Sequence, residues 1–109
     1  MDMFVITQHQ PANSDEFLHL VEVMTEQLSK EPGFIRLSVT RSVDEPSNWK
    51  IVQEWDQIGD ARRAVNSSKN RMVVWPVLSQ AQNEVSFYET LVEYEDGKSS
   101  TFESGLNQQ

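Results

Sequence analysis

Four successive apolar residues, Met3 to Ile6, open the chain and give way to polar positions by Gln8. A run without polar alternation fits a strand covered on both faces, so a central strand from Met3 to about Gln8 is predicted. Pro11 ends it. Asn13, with Glu16 three residues on, has the capping-box spacing for a helix that starts near Ser14. Phe17, Leu20, Val21, Met24 and Leu28 then recur at helical spacing as one apolar stripe. Glu31-Pro32-Gly33 stops that helix, because Pro32 disfavours a helical conformation in the residue before it and Gly33 tolerates positive φ.

Ile35, Leu37 and Val39 alternate with Arg36, Ser38 and Thr40, the period of a strand with one buried face. The turn-forming run Asp44 to Asn48 separates it from a returning strand, Trp49 to Trp55, and so predicts a hairpin with a five-residue polar loop. Asp56 is positioned to cap a second, short helix carrying Ile58, Ala61, Ala64 and Val65, which Asn66-Ser67-Ser68 ends. Met72 to Leu78 has helical length, but Pro76 lacks the N–H that would bond back to Met72, so a kink or two pieces is expected. A long strand from about Asn83 to Tyr94 follows, apolar on both sides. The polar residues 95–109, with only Phe102 and Leu106 as large apolar groups, are expected to form a mobile tail to a domain spanning 1–94.

Strand, helix, strand, strand, helix with a helical appendix, strand is the order of an α+β, ferredoxin-like split β-α-β fold, whose helices cover one face of an antiparallel sheet. The first and last strands carry large apolar groups on both sides, and an uncovered apolar face is costly in water. A second copy packed sheet against sheet is the simplest cover, so a homodimer is expected.

Charge and composition narrow the partners. Nine Lys and Arg against 17 Asp and Glu give a formal net charge of −8, which disfavours nucleic acid and anionic membrane surfaces. With no cysteine, disulfides and thiolate metal sites are unavailable. The apolar opening is too short for a signal peptide's hydrophobic region, and no run reaches the roughly 20 residues of a membrane span, so a soluble, cytoplasmic protein is expected. No Gly-rich phosphate loop or dinucleotide fingerprint appears among the four glycines.

Glu31-Pro32-Gly33-Phe34-Ile35 leading into a strand, Val52-Gln53-Glu54-Trp55-Asp56 leading into a helix, and Asn66-Ser67-Ser68 after it together resemble the antibiotic biosynthesis monooxygenase-like group of the dimeric α+β barrel superfamily. The resemblance runs from Met3 to Tyr94. It implies a dimeric α+β barrel with a ligand cavity inside each protomer, between the sheet and the helices. It also implies cofactor-independent oxygenation of, or binding to, a small planar aromatic or quinone-type compound, with no cofactor and no metal. A non-catalytic small-molecule binding protein of the same fold is the alternative, and a haem-degrading oxygenase is a weaker third reading. Trp55 matches the family's strand-end Trp, which contacts substrate in aromatic-substrate oxygenases. Four residues earlier, where some members carry a hydrogen-bonding Asn, Ile51 stands and cannot donate. No His falls between Arg71 and Leu78, where haem-degrading relatives place their axial ligand.

On its own chemistry, His9 is the candidate general base, since its strand parity with Val5 and Thr7 directs it toward a cavity mouth and its ordinary pKa lies near neutrality. His19 falls on the polar side of the first helix. Trp75 and Met72 are candidates for an apolar wall against a planar ligand, and Tyr88 and Tyr94 for donating to a phenol or quinone oxygen. Arg62 or Arg63 is suited to attract an anionic ring substituent. Core packing is the competing role for Trp55, Trp75, Met72 and Tyr88. Asp15, Glu16, Glu22 and Glu26 form a solvated face of the first helix.

Overall fold

The computed structural model describes residues 2–105. Strand β1 (Met3–His9) is followed by α1 (Ser14–Leu28), the hairpin β2 (Phe34–Arg41) and β3 (Trp49–Trp55), and the helices α2 (Ile58–Asn66) and α3 (Arg71–Leu78). Short strands β4 (Ser86–Glu89), β5 (Val92–Glu95) and β6 (Lys98–Thr101) complete the chain. The main sheet runs β2-β3-β1-β4 and is antiparallel throughout, so the apolar opening strand is interior, as its unbroken hydrophobic run requires. The architecture is the α+β, ferredoxin-like one read from the element order.

Alternation sorts the side chains of β1 and β3. Val5, Thr7 and His9 point to the helices and are buried, as are their β3 neighbours Trp49, Ile51, Gln53 and Trp55. The stripe of α1 meets them with Phe17, Val21, Met24 and Leu28, and α2 and α3 add Ala61, Ala64, Val74 and Val77. Each large apolar side chain removed from water in this way contributes about 1.5–3 kcal/mol. Phe4, Ile6 and Val52 point to the opposite face, which no element among the described residues covers.

Local chemistry explains the junctions. Asn13 caps α1 by accepting from the Glu16 N–H at 3.0 Å. Gly33 adopts φ +86°, and a Cβ there would lie 2.5 Å from Asp60 Oδ2, so the turn into β2 needs glycine twice over. The β2–β3 loop is closed by backbone bonds from Ser42 to Asn48 and from Asn48 to Glu45, both 2.9 Å.

Four expectations change. Gln57 rather than Asp56 occupies the cap position of α2 and makes no side-chain cap hydrogen bond, while the Asp56 N–H ties the end of β3 to the Gly33 carbonyl at 2.7 Å. Pro76 does not split α3: the eight-residue helix is too short for the lost bond to divide it, and the Ser79 N–H closes its end on the Trp75 carbonyl at 3.0 Å. The strand expected from Asn83 to Tyr94 pairs with β1 only as far as Glu89, and the chain then leaves the sheet. Residues 92–101 instead form a separate two-stranded sheet, closed by Asp96 and Gly97 at positive φ. The stretch expected as a polar tail therefore carries a strand, and Phe102 donates its N–H to the Leu91 carbonyl at 2.8 Å. Leu106 lies outside the described residues.

Candidate functional site

The α2–α3 turn is where sheet and helices part. Asn66-Ser67-Ser68 ends the stripe of α2, and α3 starts at Arg71. Asn70 fixes the turn: it is fully buried, donates to the Ala64 carbonyl at 2.8 Å, and accepts from Gln27 Nε2 of α1 at 2.7 Å. Lys69 adds an ion pair to Glu31 at 2.7 Å.

Between this turn, α3 and the edge strand β4 lies a cavity of about 380 Å³, within the usual range for small-molecule sites. Its apolar walls are Val65, Val74, Trp75, Leu78, Val85 and Phe87. The polar side is formed by Asn66, Ser67, Ser68 and Arg71. Arg71, Trp75 and Leu78 share one face of α3 because they are spaced by four and three residues. Trp75 remains 63 % exposed, so its indole is open to a ligand. The Arg62 guanidinium lies 5.1 Å from the centre of the Phe87 ring, backing that wall. Ion pairs among the described residues engage Arg36, Arg63 and Lys69, and leave Arg71 without a carboxylate partner.

The residues singled out in the sequence fall in four places. Trp75 lines the cavity. Ile51, Trp55 and His9 lie together on the helix-covered face of the sheet, fully buried and outside the cavity lining. Trp55 packs edge-on to Phe34 at 5.3 Å and donates its indole N–H to Gln53 Oε1 at 2.9 Å. His9 has Nε2 2.8 Å from Thr7 Oγ1 and its ring 5.0 Å from that of Phe17, and Nδ1 has no hydrogen-bond partner in the structure. Burial holds its pKa below the ordinary value, with the Gln80 backbone as a weaker opposing influence. Tyr88 pairs with Phe4 on the uncovered face of the sheet, turned away from the cavity that its neighbour Phe87 lines. Met72 is 85 % exposed on α3, one residue out of phase with Arg71 and Trp75.

Of the remaining candidates, Tyr94 is exposed on β5, His19 is exposed on α1, and Arg63 is held by Asp60 at 3.0 Å. Sequence reasoning missed Phe87, Val85, Ser67, Ser68 and Arg71 as wall residues. For Arg71 a signal was present, its four-residue spacing from Trp75 at the start of a new helix. For Phe87 and Val85 there was none, since strand parity does not say which strand flanks an opening.

The cavity walls contain no His, Asp or Glu, so their chemistry is apolar contact, hydrogen bonding and one positive charge. Neither α2 nor α3 carries a His, and His9 is enclosed against Phe17, so these residues do not fit an axial ligand for haem iron. Among the described residues no group of three or more His, Asp or Glu is placed to hold a metal ion, and no helix is long and apolar enough to cross a membrane. On the uncovered face Glu54 meets Arg36 at 2.8 Å. Its pKa is nevertheless raised, chiefly by hydrogen bonding to Asp2 and by burial.

The family profile for antibiotic biosynthesis monooxygenase matches residues 3–71. No curated protein matches the chain. Among solved structures, SnoaB, a cofactor-independent oxygenase from Streptomyces nogalater, is 17 % identical, with 82 % of this chain and 91 % of that one covered at a TM-score of 0.69. A conserved protein from Methanosarcina mazei Go1 is 20 % identical over 80 % of this chain and 88 % of that one, at a TM-score of 0.65. At such identities these likenesses show a shared fold. The profile, however, spans more than half of the sequence and includes the Gly33 turn and the Trp55 strand end, so the chain belongs to the antibiotic biosynthesis monooxygenase family.

Proposed function

We propose that this protein is a cofactor-independent monooxygenase of small planar aromatic or quinone-type compounds, that its substrate sits in the cavity between the α2–α3 turn, α3 and β4, and that it works as a homodimer. The observation that carries this reading is the wall chemistry: an accessible indole, Trp75, and a phenyl ring, Phe87, join aliphatic side chains on the apolar side of a space of about 380 Å³. Aromatic walls favour a flat, electron-rich guest through offset stacking. The homodimer is supported by the unpartnered sheet face carrying Phe4, Ile6, Val52 and Tyr88.

A guest of this kind can supply the reducing electrons itself. Loss of a proton from a hydroxylated ring system gives a carbanion or phenolate able to pass an electron to O₂. Recombination forms a C–O bond, and loss of water leaves a carbonyl. Overall a ring CH₂ and O₂ become C=O and H₂O, so no external reductant is needed. The protein's part is to hold the ring, exclude bulk water and favour the anion electrostatically.

One observation favours the second reading, a non-catalytic binding protein. No side chain of the cavity wall is a general base, and the nearest analogue of a donor on β3, Ile51, is apolar and sealed in the core. Oxygen uptake with a panel of di- and trihydroxy aromatic compounds decides between them. Uptake that depends on the protein, and falls when Trp75 is replaced by Ala, is the result expected. Binding without uptake across the panel would assign the protein to the binding class.

A further inference from the structure

We infer that the compound held in this cavity carries an anionic oxygen, a carboxylate or an ionised phenol, seated against Arg71. The inference rests on the cavity being the ligand site and adds the charge of the ligand. The chain as a whole has 17 acidic and 9 basic residues, yet no acid lines the cavity and the one charged wall residue is a guanidinium. Arg71 shares with Trp75 a helical face turned to the cavity, so a ring stacked on the indole would present its edge to the guanidinium. Ser67 and Ser68 on the same rim supply hydroxyls able to donate to a second oxygen.

Competition for Arg71 is weak. Among the described residues, Arg36, Arg63 and Lys69 are paired with carboxylates at 2.7–3.0 Å; Arg71 is one of the six Lys and Arg residues without such a partner, and is the one of them that lines the cavity. Arg62, with its guanidinium 5.1 Å from the centre of the Phe87 ring, adds a second positive charge outside the lining. The overall negative charge acts at longer range, where salt screens it over about 8 Å, while a seated anion meets Arg71 directly. Planar guanidinium against carboxylate is also the geometry that gives paired, charge-assisted hydrogen bonds.

The test compares 2-naphthoate with its neutral isostere 2-naphthamide, titrated into the full chain and read by calorimetry. Naphthoate is expected to bind about tenfold more tightly, the size of one charge-assisted hydrogen bond. Arg71→Met should bring naphthoate down to the affinity of the amide while the urea denaturation midpoint stays that of the parent, since the Arg71 side chain is exposed and holds no ion pair. Ser68→Asp, which sets a carboxylate beside Arg71, should abolish the preference through an independent change. Equal affinity of the two compounds for the parent protein, or a preference that survives both substitutions, overturns the inference while leaving the cavity as a neutral aromatic site. Binding of neither compound removes the cavity reading itself, and the inference with it.

Discussion

The indole N–H of Trp55 donates to Gln53 Oε1 two residues earlier on the same face of β3, and both side chains are excluded from solvent. The Gln53 Nε2 beside it has no hydrogen-bond partner in the structure, so this buried pair is already half satisfied. Trp55→Phe would leave Oε1 without its donor as well, at a cost of about 1–3 kcal/mol. Urea denaturation should show that loss. Aromatic ligand affinity should stay within about twofold, because a core substitution that keeps the fold leaves a distant site intact. A tenfold loss of affinity would show that Trp55 reaches the ligand.

His9 gives the fold a pH dependence whose sign follows from its burial. Its pKa is lowered from the ordinary 6.5, so the unfolded chain binds a proton more readily than the folded one. The stabilising contribution is therefore complete above pH 6.5 and is lost as pH falls from there through the folded value. Denaturation midpoints of the parent should fall on going from pH 7.5 to pH 5, and those of His9→Gln should fall less. Identical pH trends in the two proteins would contradict this assignment.

Ile6 and Val52 face each other across β1 and β3 on the side of the sheet that no helix among the described residues covers. If a second copy covers them, Ile6→Glu places a charge in a dry interface and should yield monomers, since an unpaired buried charge costs several kcal/mol. Light scattering at micromolar concentration reads the outcome. A parent protein that is already monomeric there would refute the dimer.

Asn70 joins α1 to the turn that forms the polar wall of the cavity. Asn70→Ala takes the side-chain donor from the buried Ala64 carbonyl and one of two acceptors from the Gln27 amide, which keeps the Lys69 carbonyl at 3.1 Å, and should destabilise the fold by about 1–3 kcal/mol. Ligand binding should weaken too, because Ser67 and Ser68 lose their anchor. Unchanged affinity together with reduced stability would confine Asn70 to a purely structural role.

Much of this architecture was legible in the chain. The Asn13 cap, the stripe from Phe17 to Leu28, the Gly33 turn and the interior position of β1 all followed from local chemistry and periodicity. The β4–β5 break was not legible, because Tyr88 to Tyr94 keeps an apolar alternation on both sides of Thr90 and only strand pairing tells where the sheet ends. The cavity was harder still. Family resemblance directed attention to Ile51 and Trp55, whereas open space depends on how far α3 stands from β4, a distance that no local pattern encodes. Trp75 was visible as a candidate because a large aromatic near a helix break is conspicuous. Arg71 was passed over because its value lies in what surrounds it.

Occupancy of the cavity beside Trp75 by a planar aromatic compound can be read from the indole N–H resonances of Trp49, Trp55 and Trp75 in a ¹⁵N-labelled sample during titration with 2-naphthoate. The Trp75 resonance should shift progressively to saturation, while those of Trp55, held by Gln53, and Trp49, held by the Pro46 carbonyl at 3.0 Å, stay in place. A stationary Trp75 resonance at saturating ligand, or a shift confined to Trp55, would contradict the account.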